Sequence, residues 1–154
     1  MDTIEFVTTY SRIEDYKVVE IYINGMSLID MLRQIETPLA FSEGAPEMAG
    51  AYEGLPPLYV FPPSRHFYGK ADKAYSHGNK ISLLEYAFSG VPGEWPFAAQ
   101  ILLSDEQVIW TDFEQLRRNK LKNGHQWQYD MLGSFVFERR QYDAALLQAA
   151  KDAY

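Results

Sequence analysis

The stretch from Lys80 to Glu114 constrains the fold most, because it has the pattern of three successive β-strands. Its sequence is KISLLEYAFSGVPGEWPFAAQILLSDEQVIWTDFE. A Gly/Pro-rich corner separates the first run from the second, and a short polar turn separates the second from the third. Apolar residues fall on both faces of the last two runs, which predicts a central hairpin covered at least partly on both sides.

The direction of the side chains in this hairpin depends on the number of residues in its turn. An even number places two alternating sets on one face, namely Phe97, Ala99, Ile101 and Leu103 with Val108, Trp110, Asp112 and Glu114. Ile109 and Phe113 then lie on the opposite face. An odd number would invert this pairing, because a slip of one residue moves every side chain to the other side of the sheet.

The rest of the chain predicts elements that flank these strands. Residues 4–10 and 16–24 alternate as a hairpin, and residues 135–137 give a last strand before a helix that starts near Arg139. A helix capped by Ser27 carries one apolar stripe of Leu28, Met31, Leu32 and Ile35. Thr37-Pro38 is expected to end it, since the residue before proline avoids helical geometry. We therefore predict a single α+β domain over residues 1–154, with a mostly antiparallel sheet of six or seven strands, a helix after the first hairpin and a C-terminal helix.

Residues 36–79 form a loop-rich segment. Six of the eight prolines lie between Pro38 and Pro63. So long a weakly periodic stretch is typical of a binding loop, an ordered wrap or a mobile segment. Within it, residues 58–61 are interpreted as a short edge strand between Pro-Pro pairs.

Composition excludes several functions. The chain has no cysteine, which removes disulfides, thiol catalysis and thiolate metal sites. Its net charge of −7 argues against nucleic acid as a partner, because phosphate binding needs a basic surface. The first fifteen residues lack a basic segment followed by an apolar run, and no 18-residue apolar stretch occurs, so we expect a cytoplasmic protein without a membrane partner.

Motifs for cofactor, metal or nucleophile chemistry are lacking. Gly69-Lys70 has no upstream glycine of a phosphate-binding loop, and neither G-x-S-x-G nor H-E-x-x-H occurs. The histidines His66, His77 and His125 are widely spaced and are expected at surface or loop positions. We predict no cofactor and no metal site.

An acid pair is the candidate for catalysis. Asp112 and Glu114 point the same way on an ideal strand, with α-carbons about 6.5–7 Å apart. Trp110 shares their face, and Glu94 with Trp95 lies at the neighbouring corner. Two carboxylates beside aromatic rings suit a small hydrolase, of which a carbohydrate-directed enzyme is one kind. Pairing with a nearby arginine is the simpler explanation of the same residues.

Aromatic residues in irregular segments give the second candidate site. Near them, four basic residues fall within six positions from Arg117 to Lys122. Tyrosine and tryptophan suit both core edges and contact surfaces. The predicted binding residues are Trp95, Trp110, Trp127, Tyr129, Arg117 and Arg118. The preferred hypothesis is a non-enzymatic binding protein with a protein or small-molecule partner; the alternative is the hydrolase.

Five blocks of the chain resemble a family of small uncharacterised bacterial proteins. The blocks are IYINGMSLIDMLRQIE, AGAYEGLPP, GEWPFAAQI, VIWTDFEQLRR and FVFERRQYDAAL. Some members carry cysteines in a C-x-C…C spacing before the Trp-Pro pair, where this chain has Ala87, Ser89 and Glu94. The resemblance implies no activity and no catalytic residue, and it implies that this segment serves here as structure alone.

Overall fold

The computed structural model describes residues 1–118 and 127–153, so predictions for His125 and for the basic loop beyond Arg118 lie outside the described residues. Within those ranges the chain forms nine strands and three α-helices. In chain order they are β1 (Ile4–Tyr10), β2 (Lys17–Ile23), β3 (Met26–Ser27), α1 (Leu28–Ser42), β4 (Tyr52–Glu53), α2 (Pro57–Val60), β5 (Ser76–His77), β6 (Lys80–Tyr86), β7 (Phe97–Leu103), β8 (Gln107–Gln115), β9 (Phe135–Glu138) and α3 (Arg139–Ala153).

The strands form two antiparallel sheets. One has the order β1-β2-β3, and the other has the order β4-β6-β7-β8-β9 with β5 also paired to β6. A parallel bridge between Asp2 and Phe137 connects the first sheet to the second. The α+β class, the antiparallel pairing, the helix after the first hairpin and the C-terminal helix are confirmed, although the strands divide between two sheets.

A β-bulge in β8 changes the predicted faces of the central hairpin. Ile101 pairs with Trp110 and Leu103 with Val108, as an even turn predicts. Further along, Gln100 pairs with Thr111 but Ala98 pairs with Glu114, so β8 holds one extra residue at Asp112, whose φ is 55°. The prediction that Trp110 and Glu114 share a face is therefore wrong. Phe113, predicted on the opposite face, instead stacks on Phe97, with ring centroids 5.9 Å apart.

Two predictions about prolines are also wrong. Helix α1 continues through Pro38 to Ser42, and its buried residues are Leu28, Ile29, Leu32, Glu36 and Ala40. Burial of this stripe outweighs the hydrogen bond that Pro38 cannot donate. Residues 57–60 form the short helix α2 rather than a strand, with Pro57 in the first helical turn, where its fixed φ is favourable.

The core lies between the sheets and α3. The Tyr142 ring of α3 contacts Phe6 of β1 and Trp110 of β8, with centroids 6.0 and 6.2 Å away. The Trp110 Nε1–H donates to the Tyr142 hydroxyl at 3.0 Å, and this hydroxyl donates to the carbonyl oxygen of Phe67, so both buried polar groups are satisfied. In the described part of the chain, every helix is too short or too polar to span a bilayer.

Candidate functional site

The predicted acid pair lies in a polar cleft of about 610 Å³. Both Asp112 and Glu114 line this cleft, and the Lys80 Nζ binds Glu114 Oε1 at 2.6 Å. Asp112 is exposed on the bulge. Glu94, the third predicted carboxylate, lies elsewhere and accepts the Ser89 hydroxyl at 2.9 Å. The cleft therefore brings together two of the three acids, one of which is already paired with a lysine.

Most of the predicted binding residues are not exposed. Trp110 is in the core, and Trp127 and Tyr129 are only 5% and 6% exposed. The expectation of an exposed aromatic surface is wrong for these three, because their rings pack against other core aromatics. Trp95 is half-buried and Arg117 is exposed.

Trp95, Trp127 and Arg118 do come together. The two indole rings meet edge to face at 6.0 Å, and the Arg118 guanidinium lies 4.9 Å from the Trp127 ring centroid. Glu43, just after α1, pairs with the Arg118 guanidinium and accepts the Trp127 Nε1–H at 3.3 Å. This cluster ties the end of α1 to the segment after β8, and we interpret it as a structural contact.

A carboxylate of α1 that the sequence did not predict binds the hydroxyls of Tyr52 and Tyr129. Glu36 is fully buried. Its Oε2 accepts the hydroxyls of Tyr52 and Tyr129, each at 2.6 Å, and its Oε1 accepts the Gly50 N–H at 2.9 Å. Burial raises the pKa of Glu36, against the opposing effect of the two tyrosine hydroxyls and the Gly50 amide.

A cavity of about 270 Å³, the Phe88 pocket, lies between the β1–β2 turn, α1 and the segments around β4 and Phe88. Its rim carries the exposed side chains of Tyr10, Ile13 and Phe88, which are 61%, 42% and 58% exposed. Its wall and floor include the buried residues Val18, Ala51, Tyr52 and Glu53. An exposed apolar rim over a buried floor is characteristic of a contact site.

Close approach of α1 to the chain before β4 shapes one wall of this pocket. Gly50 has a φ of 66°, and a Cβ built on it would lie 2.8 Å from the Cβ of Arg33. Only glycine fits there without displacing α1. The aromatic contacts continue from the rim, since Phe88 meets Tyr86 at 5.3 Å and Tyr86 meets Trp95 at 6.4 Å.

Two further carboxylates lie beneath the loop that follows Phe88. Glu53 and Glu85 are directly paired residues of β4 and β6, and they are 7% and 2% exposed. Glu53 Oε1 accepts the Tyr16 hydroxyl at 2.8 Å, and Glu85 Oε1 accepts the Gly93 N–H at 3.0 Å. Burial raises the pKa of Glu85 to about 7, against smaller opposite effects of the nearby Ser82 hydroxyl and the Gly93 amide.

One histidine is placed differently from its prediction. His66 is fully buried, and its Nε2 lies 2.7 Å from the carbonyl oxygen of Ser82, so Nε2 carries the proton and donates it. Burial lowers its pKa to about 4. His77 is half-buried, with Nε2 2.8 Å from the Ser82 hydroxyl. Among residues 1–118 and 127–153, no group of three or more His, Asp or Glu side chains has the geometry for a metal ion.

The sequence contains partial signals for the missed residues. Glu36 falls eight positions after Leu28 and four after Leu32, which is the buried face of α1 if the helix passes Pro38. Glu85 is a lone acid within the apolar strand pattern of β6. Glu53 has no comparable pattern, because its two-residue strand is too short for periodicity.

Comparisons of the chain with protein-family models, curated proteins and solved structures give no match. The resemblance to small bacterial proteins therefore stays a prediction. In this chain Ser89 and Glu94, at two of the positions of the cysteines named above, form a hydrogen bond of 2.9 Å.

Proposed function

We propose that this protein is a non-enzymatic binding protein and that the Phe88 pocket receives an apolar side chain of a partner protein. The observation that supports this most directly is the rim of three exposed apolar residues above a buried floor. Exposed tyrosine and phenylalanine side chains are frequent anchors of protein interfaces. The cytoplasmic location expected from the sequence belongs to the same proposal.

The size and charge of the pocket favour a protein side chain over a larger ligand. Its volume of about 270 Å³ is below the ~300–1,000 Å³ of typical pockets for drug-sized molecules. The lining also contains Arg12, Glu20 and Glu47, which bring charges of both signs around the apolar rim. Protein interfaces usually have polar and charged groups of this kind around an apolar centre.

The first experiment uses small models of a side chain. Isotope-labelled protein is titrated with N-acetyl-leucine amide and N-acetyl-phenylalanine amide, with N-acetyl-lysine amide as a polar control. We expect millimolar binding of the apolar probes, which corresponds to about −4 kcal/mol, and NMR shift changes at the amides of Ala51 and Ala87. Shift changes that are absent, or that do not map to the pocket, contradict the proposal.

A pair of variants connects the binding to the rim. Phe88→Ala is expected to weaken binding of the apolar probes about tenfold through lost apolar contact. Leu58→Ala is the matched control, since Leu58 is 76% exposed and lies outside the pocket lining. Both variants should keep the melting temperature nearly unchanged, because both side chains are exposed. Equal affinities for the two variants would rule out Phe88 as an anchor.

A hydrolase built on Asp112 and Glu114 is the second candidate. Its support is that both carboxylates line one polar cleft. The Lys80–Glu114 ion pair weighs against it, because a glycoside-cleaving pair needs one carboxylic acid that keeps its proton. Cleavage of nitrophenyl glycosides that Asp112→Asn abolishes would establish this alternative.

A further inference from the structure

We infer that Glu53 and Glu85 form a proton-operated latch, which keeps residues 87–96 closed and thereby holds Phe88 at the rim of the Phe88 pocket. The inference concerns regulation of that pocket, and its consequence for binding rests on the function proposed above. Residues 87–96, the latch loop, connect β6 to β7 and include Phe88, Gly90 and Gly93.

The two acids are neighbours across a pair of strands. Glu53 and Glu85 are directly opposed on antiparallel strands, so their side chains leave the same face of the sheet. Directly opposed residues have Cβ atoms about 4.5–5.5 Å apart. Both side chains are more than nine-tenths buried.

The latch loop contacts both carboxyl groups. Glu85 Oε1 accepts the Gly93 N–H at 3.0 Å. Gly90, with a φ of 66°, lies directly over the Tyr16 hydroxyl and Glu53 Oε1, so that a Cβ at this position would collide with the hydroxyl. The Tyr16 hydroxyl itself donates to Glu53 Oε1. The closed loop therefore covers Glu85 and packs against the Glu53 carboxyl group.

Each carboxylate also has an oxygen that lacks a partner. Among the described residues, Oε2 of Glu53 and Oε2 of Glu85 are buried without a hydrogen bond. A buried carboxylate with an unsatisfied oxygen is costly when it is charged. The burial that raises the pKa of Glu85 to about 7 agrees with this arrangement.

Within residues 1–118 and 127–153, five titratable groups surround Glu85. They are the carboxyl of Glu53, the phenols of Tyr16 and Tyr75, the imidazole of His77 beyond Ser82, and the carboxyl of Glu94 in the latch loop. The charge of Glu85 is one of the causes that raise the pKa of Tyr75. Loss of the Glu85 proton to water leaves a buried negative charge, and opening the loop hydrates it. Phe88 then leaves the rim.

The expected change in the closed-to-open ratio of the loop follows from proton linkage. An open loop returns Glu85 to its ordinary pKa of 4.5, whereas the closed loop holds it at about 7. The closed form therefore binds the extra proton between these two values, and the closed-to-open ratio falls about tenfold for each pH unit across that interval. Above about pH 7 the ratio stays constant.

The decisive measurement is hydrogen exchange at the Gly93 amide between pH 4.5 and 8.5, corrected for the intrinsic rate of exchange. In the wild type we expect protection to fall about tenfold per pH unit up to about pH 7 and then to level off. Glu85→Gln keeps an acceptor for the Gly93 N–H and should remove this fall. Val91→Ala, an exposed change in the same loop that removes no titratable group, should leave it intact. The same pH dependence in the wild type and in Glu85→Gln overturns the latch.

A second readout keeps the outcomes separate. Binding of N-acetyl-leucine amide at pH 5 and pH 7.5 tests the pocket. Wild-type binding that is absent at pH 5, with exchange as expected, refutes the pocket and not the latch. Equal binding at both pH values, with no fall in protection, refutes the latch and not the pocket.

Discussion

Replacing Glu85 by Gln should change how the free energy of unfolding depends on pH. In the folded protein the pKa of Glu85 is about 7, and its ordinary value is 4.5. A raised carboxyl pKa contributes stability that is fully present below pH 4.5 and is lost as pH rises through about 7. At about 1.4 kcal/mol per pH unit, the loss amounts to about 3 kcal/mol. The variant has no proton to lose at this position.

The pKa shift of His66 changes the free energy of unfolding with pH in the opposite direction. Its pKa falls from 6.5 to about 4 on folding, so the unfolded chain binds the extra proton between these values. Stability from His66 therefore rises with pH over that interval, again by about 3 kcal/mol. Between about pH 4.5 and 6.5 the contributions of Glu85 and His66 cancel, which hides both of them in the wild type.

Urea unfolding from pH 4.5 to 8 measures these contributions. Relative to the wild type, Glu85→Gln should gain about 1.4 kcal/mol per pH unit until about pH 7 and then keep a constant difference. Its own curve should lack the loss of stability with rising pH that Glu85 contributes to the wild type. Leu58→Ala, an exposed change that removes no titratable group, is the control and should differ from the wild type by the same amount at every pH. A pH-independent difference for Glu85→Gln would refute the reasoning.

Two further substitutions test the packing. Tyr129→Phe removes one of two hydroxyl donors to the buried Glu36 carboxylate and should cost about 2 kcal/mol in urea unfolding, whereas the same change at the exposed Tyr10 should cost less than about 0.5 kcal/mol; equal costs would count against the network. Gly54→Ala puts a Cβ into the backbone of Val19 and should lower stability by about 3 kcal/mol or more; a melting temperature within a degree of the wild type would show that the strands separate easily there.

The strands and helices were predictable where the hydrophobic period is long. Residues 80–115 and 139–153 alternate or repeat over many positions, and the structure has the elements that this pattern indicates. The bulge at Asp112 was not predictable, because one extra residue leaves the composition of a strand unchanged. Aspartate also enters a positive φ at low cost, so no glycine marks the position.

The site was harder to predict than the fold. Glu36 meets Tyr129 across 93 positions, and the Phe88 pocket is built from short segments that lie far apart in the chain. Local patterns carry no information about such contacts. The presence of tryptophan led to the prediction that Trp110 and Trp127 are binding residues. Large aromatic residues, however, are buried as readily as they are exposed.

The side chain of Gln141 in α3 pairs with the outer edge of β1. Its amide accepts the Ile4 N–H at 3.1 Å and donates to the Ile4 carbonyl oxygen at 2.7 Å, in the manner of a neighbouring strand. The two residues are 137 positions apart. On the ribosome, β1 emerges long before this partner, so its outer edge stays open to other chains until α3 has been synthesised.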